Sequence, residues 1–144
     1  MIALTIGTFD QIHPGHLELI AATRYLVGAT GEVWVGVNRD EFVTRYKGRP
    51  PIFSLASRVE MLKALADVDH VFVNVGDENS GLLIDAVRPD IITIGDDWLD
   101  PDGSEERYFA QLGVTAEWMQ ERDLRVQYVP RTRGVSSSAL RVVQ

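Results

Sequence analysis

Cysteine is absent from the 144 residues of this chain, and its absence excludes several kinds of chemistry. Without thiols the chain can form no disulfide, offers no thiolate nucleophile and cannot bind zinc through cysteine. A reaction at this protein must therefore use histidine, aspartate, arginine, lysine or serine side chains, which shortens the set of mechanisms to consider.

Long hydrophobic runs are absent as well. Only the short stretch Met1–Ile6 precedes Gly7, and no basic segment stands ahead of it. A signal peptide needs a basic segment and a longer apolar one, and a membrane-spanning helix needs about 20 apolar residues. We therefore expect a cytoplasmic protein that has no membrane partner.

Basic residues are fewer than acidic ones in this chain. The chain has 14 Lys and Arg residues against 21 Asp and Glu residues, for a net charge of −7 and a pI near 4.9. This balance argues against nucleic acid and against an anionic membrane as the main partner. A small anionic substrate remains compatible, because it responds to the local field. Basic residues gather in three stretches, at Lys47 with Arg49, at Arg58, and at Arg131 with Arg133.

Short apolar runs rich in β-branched residues alternate with stretches of helical spacing. The hydrophobic content of 45% is enough for one buried core, so we expect a single domain over residues 1–144. The apolar runs predict strands at Ile2–Ile6, Val33–Val37, His70–Val75, Asp90–Ile94 and Arg125–Val129. Their alternation with helices predicts an α/β fold, a Rossmann-like three-layer αβα sandwich with a five-stranded parallel sheet. The segment Trp98–Asp123 predicts a loop with one or two short helices.

The first predicted strand leads into a loop whose residues suit phosphate binding. Gly7–Asp10 (GTFD) is followed by His13–His16 (HPGH), and the first glycine allows a ligand to approach the backbone closely. Pro14 fits a first helical turn, where free backbone amides favour anions. Because His13 and His16 are three residues apart, both imidazoles can face one phosphate and stabilise charge in a transition state. Two histidines near a turn can also be ordinary helix-start residues.

A second pattern of the same kind lies near the other end of the chain. Arg131–Ser138 (RTRGVSSS) follows the last predicted strand. It combines a Gly-containing loop, a helix start with several hydroxyl donors, and an arginine suited to two contacts with one phosphate. The alternative is that its serines only cap a helix.

Two acidic features give weaker signals. Gly95–Trp98 (GDDW) follows the fourth predicted strand, and its carboxylates could accept from a base amino group or help to hold a metal. An ordinary Asp-rich turn is an equal alternative. Asp10 is likewise either a metal ligand or a residue that braces its loop. A magnesium ion bound mainly through substrate phosphates would need few protein ligands.

Together these segments resemble the HxGH nucleotidyltransferase superfamily. His13–His16 is similar to its HxGH signature, Gly95–Trp98 to the GDDW segment of cytidylyltransferases, and Arg131–Ser138 to their RTxGIST motif. Within the last motif Val135 stands for Ile, and serines replace threonines with the hydroxyl retained. The resemblance is to glycerol-3-phosphate cytidylyltransferases in particular, and it covers nearly the whole chain. Lys47–Arg49 resembles their loop that supplies basic residues, on a long segment suited to a closing lid.

The resemblance implies an enzyme that uses Mg²⁺ and transfers CMP from CTP to a small alcohol phosphate. Glycerol 3-phosphate is the first choice of acceptor, with CDP-glycerol and pyrophosphate as products. The implied catalytic residues are His13, His16, Lys47 and Arg131. The implied nucleotide-binding residues are Gly7, Thr8, Phe9, Asp10, Gly15, Gly95, Asp97, Arg131, Thr132, Gly134, Ser136 and Ser137. The implied contacts to the acceptor phosphate are Lys47, Arg49 and Arg58, and the implied metal ligand is Asp10.

Some features of the chain leave the acceptor and the base open. Glycerol-3-phosphate enzymes carry a basic residue before the third strand, where this chain has Ala66 or Asp67, and Leu99–Asp123 is longer than in the smallest relatives. Lys47–Pro50 is also similar to sugar-phosphate nucleotidyltransferases. An ATP-using enzyme of this fold and a catalytically silent nucleotide-binding protein are further alternatives, since HxGH recognises phosphate rather than base. Homodimers are common in the family, so we expect one here.

Overall fold

The computed structural model describes residues 1–130. The predictions for Arg131, Thr132, Gly134, Ser136 and Ser137 lie outside this part of the chain. Strands and helices alternate along it as predicted. In chain order the elements are β1 (Ile2–Gly7), α1 (Pro14–Val27), β2 (Glu32–Asn38), α2 (Asp40–Lys47), α3 (Leu55–Lys63), β3 (His70–Asn74), α4 (Gly81–Val87), β4 (Ile91–Gly95), a 3-10 turn (Asp96–Trp98), α5 (Glu106–Leu112), α6 (Ala116–Glu121) and β5 (Arg125–Val129).

All five predicted strands are present and form one parallel sheet in the order β3-β2-β1-β4-β5. From the central β1 the chain first moves to one side, through β2 and β3, and then crosses to β4 and β5 on the other side. The strand order therefore reverses next to β1, and open α/β sheets bind ligands at the carboxyl ends of the strands near such a point. The prediction of an α/β Rossmann-like fold is confirmed.

Helices cover both faces of this sheet, and alternate residues of a strand point to opposite faces. On one face, Leu4 and Ile6 of β1 pack with Ile84 of α4 and Leu112 of α5. On the other face, Val35 of β2 packs with residues of α1 and α3 in a second apolar cluster. Central strands that are apolar on both faces are typical of covered parallel sheets. No helix within residues 1–130 is long and apolar enough to cross a membrane.

Residues 40–47 form helix α2, whereas the resemblance suggested a long loop that closes like a lid. The helix buries Phe42 and Val43 and has acidic residues in its first turn and basic residues in its last, an order that the helix dipole favours. Gly48 ends it in a left-handed conformation with φ of 78°, where glycine is the preferred residue. The structure corrects the prediction, because Lys47 is carried by a helix.

The segment between β4 and β5 forms a 3-10 turn and two short helices, in line with its prediction. Helix α5 ends at Gly113, which has φ of 75° and lies against the loop after β3. A Cβ atom at Gly113 would lie 1.9 Å from the carbonyl oxygen of Glu78. The amide of Ser80 donates to the carbonyl of Leu112 at 2.8 Å. Glycine at this position therefore allows α5 to pack closely on the loop after β3.

Replacing Gly113 by alanine should lower the free energy of unfolding by about 2 kcal/mol or more, because it adds a steric clash to an unfavourable left-handed conformation. Gly103 is the matched control, since its φ is 87° but nothing lies within 4 Å of an added Cβ. Gly103→Ala should lower the free energy of unfolding by only about 1 kcal/mol, which is the cost of the left-handed conformation alone. Urea unfolding measures both, and equal losses would mean that the close approach to Glu78 contributes nothing.

Candidate active site

A pocket of about 280 Å³ opens at the carboxyl edge of the sheet, near the point where the strand order reverses. Its walls come from the loop after β1, the start of α1, the end of β2, helix α2, the turn after β4 and helix α5. Arg49 and Arg58 do not line it. The predicted site residues that do line it are Gly7, Thr8, Phe9, Asp10, His13, Gly15, His16, Lys47, Gly95 and Asp97.

The two histidines form a capping box at the first turn of α1. Nδ1 of His13 accepts a hydrogen bond from the amide of Gly15 at 3.0 Å, and Nδ1 of His16 accepts one from the amide of His13 at 3.2 Å. A ring nitrogen that accepts carries no proton, so the proton of each neutral imidazole lies on Nε2. The rings stack with centroids 3.9 Å apart. The start of α1 therefore presents two oriented N–H donors side by side.

The loop that precedes these histidines is held in an unusual conformation. The buried carboxylate of Asp10 accepts from the amides of Ile52 at 2.8 Å and Phe53 at 2.9 Å. Phe9 and Gln11, on either side of Asp10, both have positive φ, which costs energy in residues that have a side chain. Such local strain is typical of functional sites. Asp10 therefore braces the loop against the segment before α3.

The predicted magnesium ion has few protein ligands to draw on within residues 1–130. No group of three or more His, Asp or Glu side chains in that range could hold a metal, and both oxygens of Asp10 accept backbone amides. Magnesium commonly keeps several waters and binds through one or two carboxylates together with substrate phosphates. The described pocket fits an ion of that kind, with Asp10 and Asp97 as its nearby carboxylates, and does not provide a cage of protein ligands.

Arg58 is buried and does not line the pocket. Its guanidinium donates to the main-chain carbonyls of Thr8 at 2.7 Å, Asn38 at 2.8 Å and Phe53 at 3.1 Å. It also pairs with the carboxylate of Asp40. These bonds tie the loop after β1 and the end of β2 to the starts of α2 and α3. The expected contact of Arg58 with the acceptor phosphate is therefore corrected, because protein acceptors already surround the guanidinium.

Helix α2 brings Tyr46 and Lys47 to the pocket wall. The Tyr46 hydroxyl lies 3.0 Å from the Thr8 hydroxyl, so α2 contacts the loop after β1 directly. Burial raises the pKa of Tyr46 above its usual value, and the hydrogen bond with Thr8 opposes this in part. The Lys47 ammonium lies 5.7 Å from the centre of the Tyr46 ring. One predicted cation is therefore at the pocket, while Arg49 is exposed beyond the end of α2.

An ion network between α2 and the loop after β3 was not indicated by any sequence pattern. Asp77 accepts from Arg39 at 2.9 and 2.6 Å and from Arg45 at 3.0 Å. Arg45 also pairs with Glu78. Hydrogen bonds from Arg39, and then from Arg45, hold the pKa of Asp77 below its usual value. The helix that carries Lys47 is therefore anchored near both of its ends.

A further wall of the pocket follows β4. Gly95 ends β4, and Asp97 and Trp98 from the next turn line the pocket together with Tyr108 of α5. The rings of Trp98 and Tyr108 lie 5.7 Å apart. Burial raises the pKa of the Tyr108 hydroxyl, which has no hydrogen-bond partner within residues 1–130. This wall offers aromatic surface, which suits a planar ring.

Several polar pocket residues were not predicted from the sequence as site residues, namely Asn38, Tyr46, Ser80, Tyr108 and Gln111. Only Asn38 carried a usable signal, since it directly follows a predicted strand at the edge where such folds bind ligands. Two of the others lie on α5, a helix too short for a clear periodicity. Val129 and Pro130 also line the pocket, so the described chain reaches it immediately before the motif that begins at Arg131.

Comparisons with known proteins agree with this geometry. A family model described as cytidylyltransferase-like matches residues 4–143. An FAD synthase of Korarchaeum cryptofilum (strain OPF8) is 35% identical over 140 residues, which cover 95% of this chain and 86% of that protein. The bifunctional protein HldE of Nitrosococcus oceani is 43% identical over 67% of this chain, which spans only 20% of that protein. The crystal structure of a lipopolysaccharide core biosynthesis protein from Thermoplasma volcanium GSS1 superimposes with a TM-score of 0.65 and 26% identity, and covers 92% of this chain and 96% of that one.

Proposed function

The chain belongs to the cytidylyltransferase-like family of HxGH nucleotidyltransferases, and on that premise we propose that it adenylylates flavin mononucleotide (FMN) to form FAD. The observation that carries this proposal is the 35% identity to an FAD synthase over 95% of this chain and 86% of that protein. FAD is an adenylyl group joined to FMN through a phosphoanhydride, so a nucleotidyltransferase that makes it uses ATP and FMN. These relatives favour ATP over the CTP that the sequence motifs suggested.

The proposed chemistry is an in-line displacement at the α-phosphorus of ATP. An oxygen of the FMN phosphate forms the new P–O bond, and the bond from the α-phosphorus to the bridging oxygen breaks, so that pyrophosphate leaves with the electron pair. The Nε2–H groups of His13 and His16 and the ammonium of Lys47 would stabilise the charge that spreads over the phosphate oxygens. Mg²⁺, when bound, would neutralise part of the phosphate charge. No covalent intermediate with the protein is needed.

The lining of the pocket supports a planar acceptor. Apolar and aromatic side chains share the pocket with the histidines, among them Phe42, Trp98, Tyr108 and Leu112. A flavin ring is flat and mostly apolar, with polar atoms at its edge, and such ligands bind in apolar pockets with a few placed polar groups. A small polyol such as glycerol has no ring to pack on this lining, so with that acceptor only the base of the nucleotide could cover it.

Transfer of CMP from CTP to glycerol 3-phosphate is the second candidate. It is supported by the Gly95–Trp98 segment, which resembles cytidylyltransferases and whose Asp97 lines the pocket. The description of the matching family also refers to cytidylyl transfer. The likeness of Lys47–Pro50 to sugar-phosphate enzymes keeps a sugar phosphate as a third acceptor to test. Mg²⁺ and a homodimer stay predictions for all three.

Pyrophosphate release should be faster with ATP than with CTP by at least about tenfold in kcat/KM when FMN is the acceptor, because a site built for one base leaves polar groups unpaired with another. The assay crosses ATP, CTP, GTP and UTP with FMN, glycerol 3-phosphate and a sugar 1-phosphate in the presence of Mg²⁺. Reactions that lack the acceptor are the control for nucleotide hydrolysis.

The same assay separates the candidates. Faster turnover with CTP and glycerol 3-phosphate than with ATP and FMN would overturn the flavin proposal in favour of the second candidate. Nucleotide binding without turnover for every pair would instead indicate a catalytically silent nucleotide-binding protein.

A further inference from the structure

Three buried polar side chains form a hydrogen-bonded group at the carboxyl edge of the sheet. Asn38 ends β2, Asn74 ends β3 and Ser80 precedes α4. Nδ2 of Asn74 donates to Oδ1 of Asn38 at 3.2 Å and to Oγ of Ser80 at 2.9 Å. Asn38 and Ser80 line the pocket, whereas Asn74 is completely buried and does not. Asn74 thus holds both pocket residues from the interior.

This arrangement determines which atoms of the two pocket residues are available to a ligand. Asn74 occupies the side-chain oxygen of Asn38, so the Nδ2–H₂ group of Asn38 remains for the pocket. Ser80 accepts from Asn74, so its own hydroxyl proton remains to be donated. Turning the Asn74 amide alone would place its oxygen against the Asn38 oxygen, which is unfavourable. Asn38 and Ser80 therefore present two neighbouring donors.

The orientation of Asn74 has an energetic cost. Its side-chain oxygen is buried and has no hydrogen-bond partner within residues 1–130, and unpaired buried polar atoms are rare in folded proteins because they destabilise the fold. Asn74 uses its NH₂ group to hold the two pocket residues and leaves its own oxygen unpaired. An unsatisfied group of this kind calls for an explanation, and the contacts of Asn74 supply one, because its NH₂ group fixes the orientation of two pocket residues.

The surroundings of the donor pair favour a neutral oxygen over a phosphate. Asn38 and Ser80 are uncharged and only 5% and 3% exposed, and the apolar side chains of Phe42 and Leu112 line the same pocket. The guanidinium of Arg58 donates to the main-chain carbonyl of Asn38 and does not line the pocket. Two neutral donors in this setting match a carbonyl oxygen, because they can pair with it without having to balance a charge.

We propose that Asn38 and Ser80 bind a carbonyl oxygen of the flavin ring of the acceptor, with Asn74 as the residue that positions them. The inference rests on the proposed function, since FMN supplies the ring. The pyrimidine edge of a flavin carries two carbonyl oxygens, whereas glycerol 3-phosphate carries none. Asn38 and Ser80 are thus specificity-determining residues for the acceptor ring, and they act separately from the histidines that face the phosphates.

Flavin fluorescence titrations with riboflavin and FMN test this without any need for turnover. Asn38→Asp keeps the shape and the oxygen that accepts from Asn74, but replaces the donor by a carboxylate. Ser80→Ala removes the hydroxyl donor. Asn79→Asp is the matched control, because Asn79 is exposed in the same loop, does not line the pocket, and uses its oxygen to accept the amide of Gly81. Thermal melting of each variant verifies that it is folded.

Asn38→Asp should raise the Kd for riboflavin by about tenfold or more, and Ser80→Ala should raise it several-fold. The same factors should appear for FMN, because riboflavin has the ring and lacks the phosphate. Asn79→Asp should stay within about twofold of wild type, and ATP binding should not change in any variant. If Asn38→Asp does not fold, the Kd of Ser80→Ala for riboflavin tests the donor pair by itself.

The outcomes separate this inference from the proposed function. If the wild type binds riboflavin and FMN while Asn38→Asp and Ser80→Ala bind them equally well, the donor pair has no role and the flavin proposal stands. If the variants lose affinity for FMN and not for riboflavin, Asn38 and Ser80 bind the phosphate and not the ring, which also overturns the inference. A wild type that binds neither flavin would remove the proposed acceptor and this inference with it.

Discussion

His16→Ala should lower kcat by about 100-fold or more, because one preorganised donor to a reacting oxyanion is typically worth that much. The amide of His13 donates to Nδ1 of His16, so the ring is oriented before a substrate binds. The loss should fall on kcat more than on KM, since a donor that acts on transition-state charge adds little to ground-state binding. Steady-state pyrophosphate release with the fastest nucleotide and acceptor pair measures it.

Two further variants separate catalysis from helix capping. His16→Gln keeps an oxygen that can accept the His13 amide, as in other capping boxes, so its stability should approach that of the wild type while kcat stays low. His70→Ala is the matched control, because this exposed histidine of β3 pairs with Glu32 and does not line the pocket. It should leave kcat unchanged. If His16→Ala has nearly the kcat of the wild type, the catalytic role assigned to the two histidines is wrong.

The strands and the histidine loop were predictable because their signals are local. Val33–Val37 is an apolar run whose residues are buried, apart from the half-buried Trp34, and that pattern needs no knowledge of the rest of the chain. The motif His13–His16 lies within one helix turn, and its two capping bonds join neighbouring residues. The geometry of the loop after the first strand could therefore be predicted from a short segment, and phosphate binding there stays a prediction.

Residues whose partners are distant in sequence could not be assigned in the same way. Arg49 and Arg58 lie in the same stretch of the sequence, and nothing in that stretch shows that Arg49 is exposed while Arg58 is buried. Asn38 and Asn74 meet only because β2 and β3 pair in the register that sets them opposite each other.

The acceptor and the base were the least predictable features for a related reason. The signature motifs predict phosphate contacts, which many members of a superfamily share, whereas the rest of the pocket comes from α2, α5 and the loop after β3. Helix α5 is positioned by the contact of Gly113 with Glu78, far from any motif. Similarity to relatives over most of the chain was therefore needed to propose a flavin acceptor rather than glycerol 3-phosphate.

The second large effect is expected for Arg58→Ala, which should lower the free energy of unfolding by about 3 kcal/mol or more. The change removes a buried guanidinium and leaves the main-chain carbonyls of Thr8, Asn38 and Phe53 without their donor. Arg49→Ala is the matched control, since the exposed arginine should contribute no more than about 0.5 kcal/mol. Urea unfolding followed by circular dichroism measures both.

The two roles considered for Arg58 predict opposite results for this variant. An arginine that binds the acceptor phosphate would leave a protein of normal stability with a raised KM for the acceptor. If Arg58 is a buried brace, its loss lowers the free energy of unfolding. Activity then changes only because the loop at Thr8 and the end of β2 at Asn38 lose their common anchor. Arg58→Lys should recover only part of the stability, because one ammonium cannot reproduce the fork of donors that a guanidinium offers. A fully stable Arg58→Ala protein with weakened acceptor binding would contradict the brace and restore the interpretation made from the sequence.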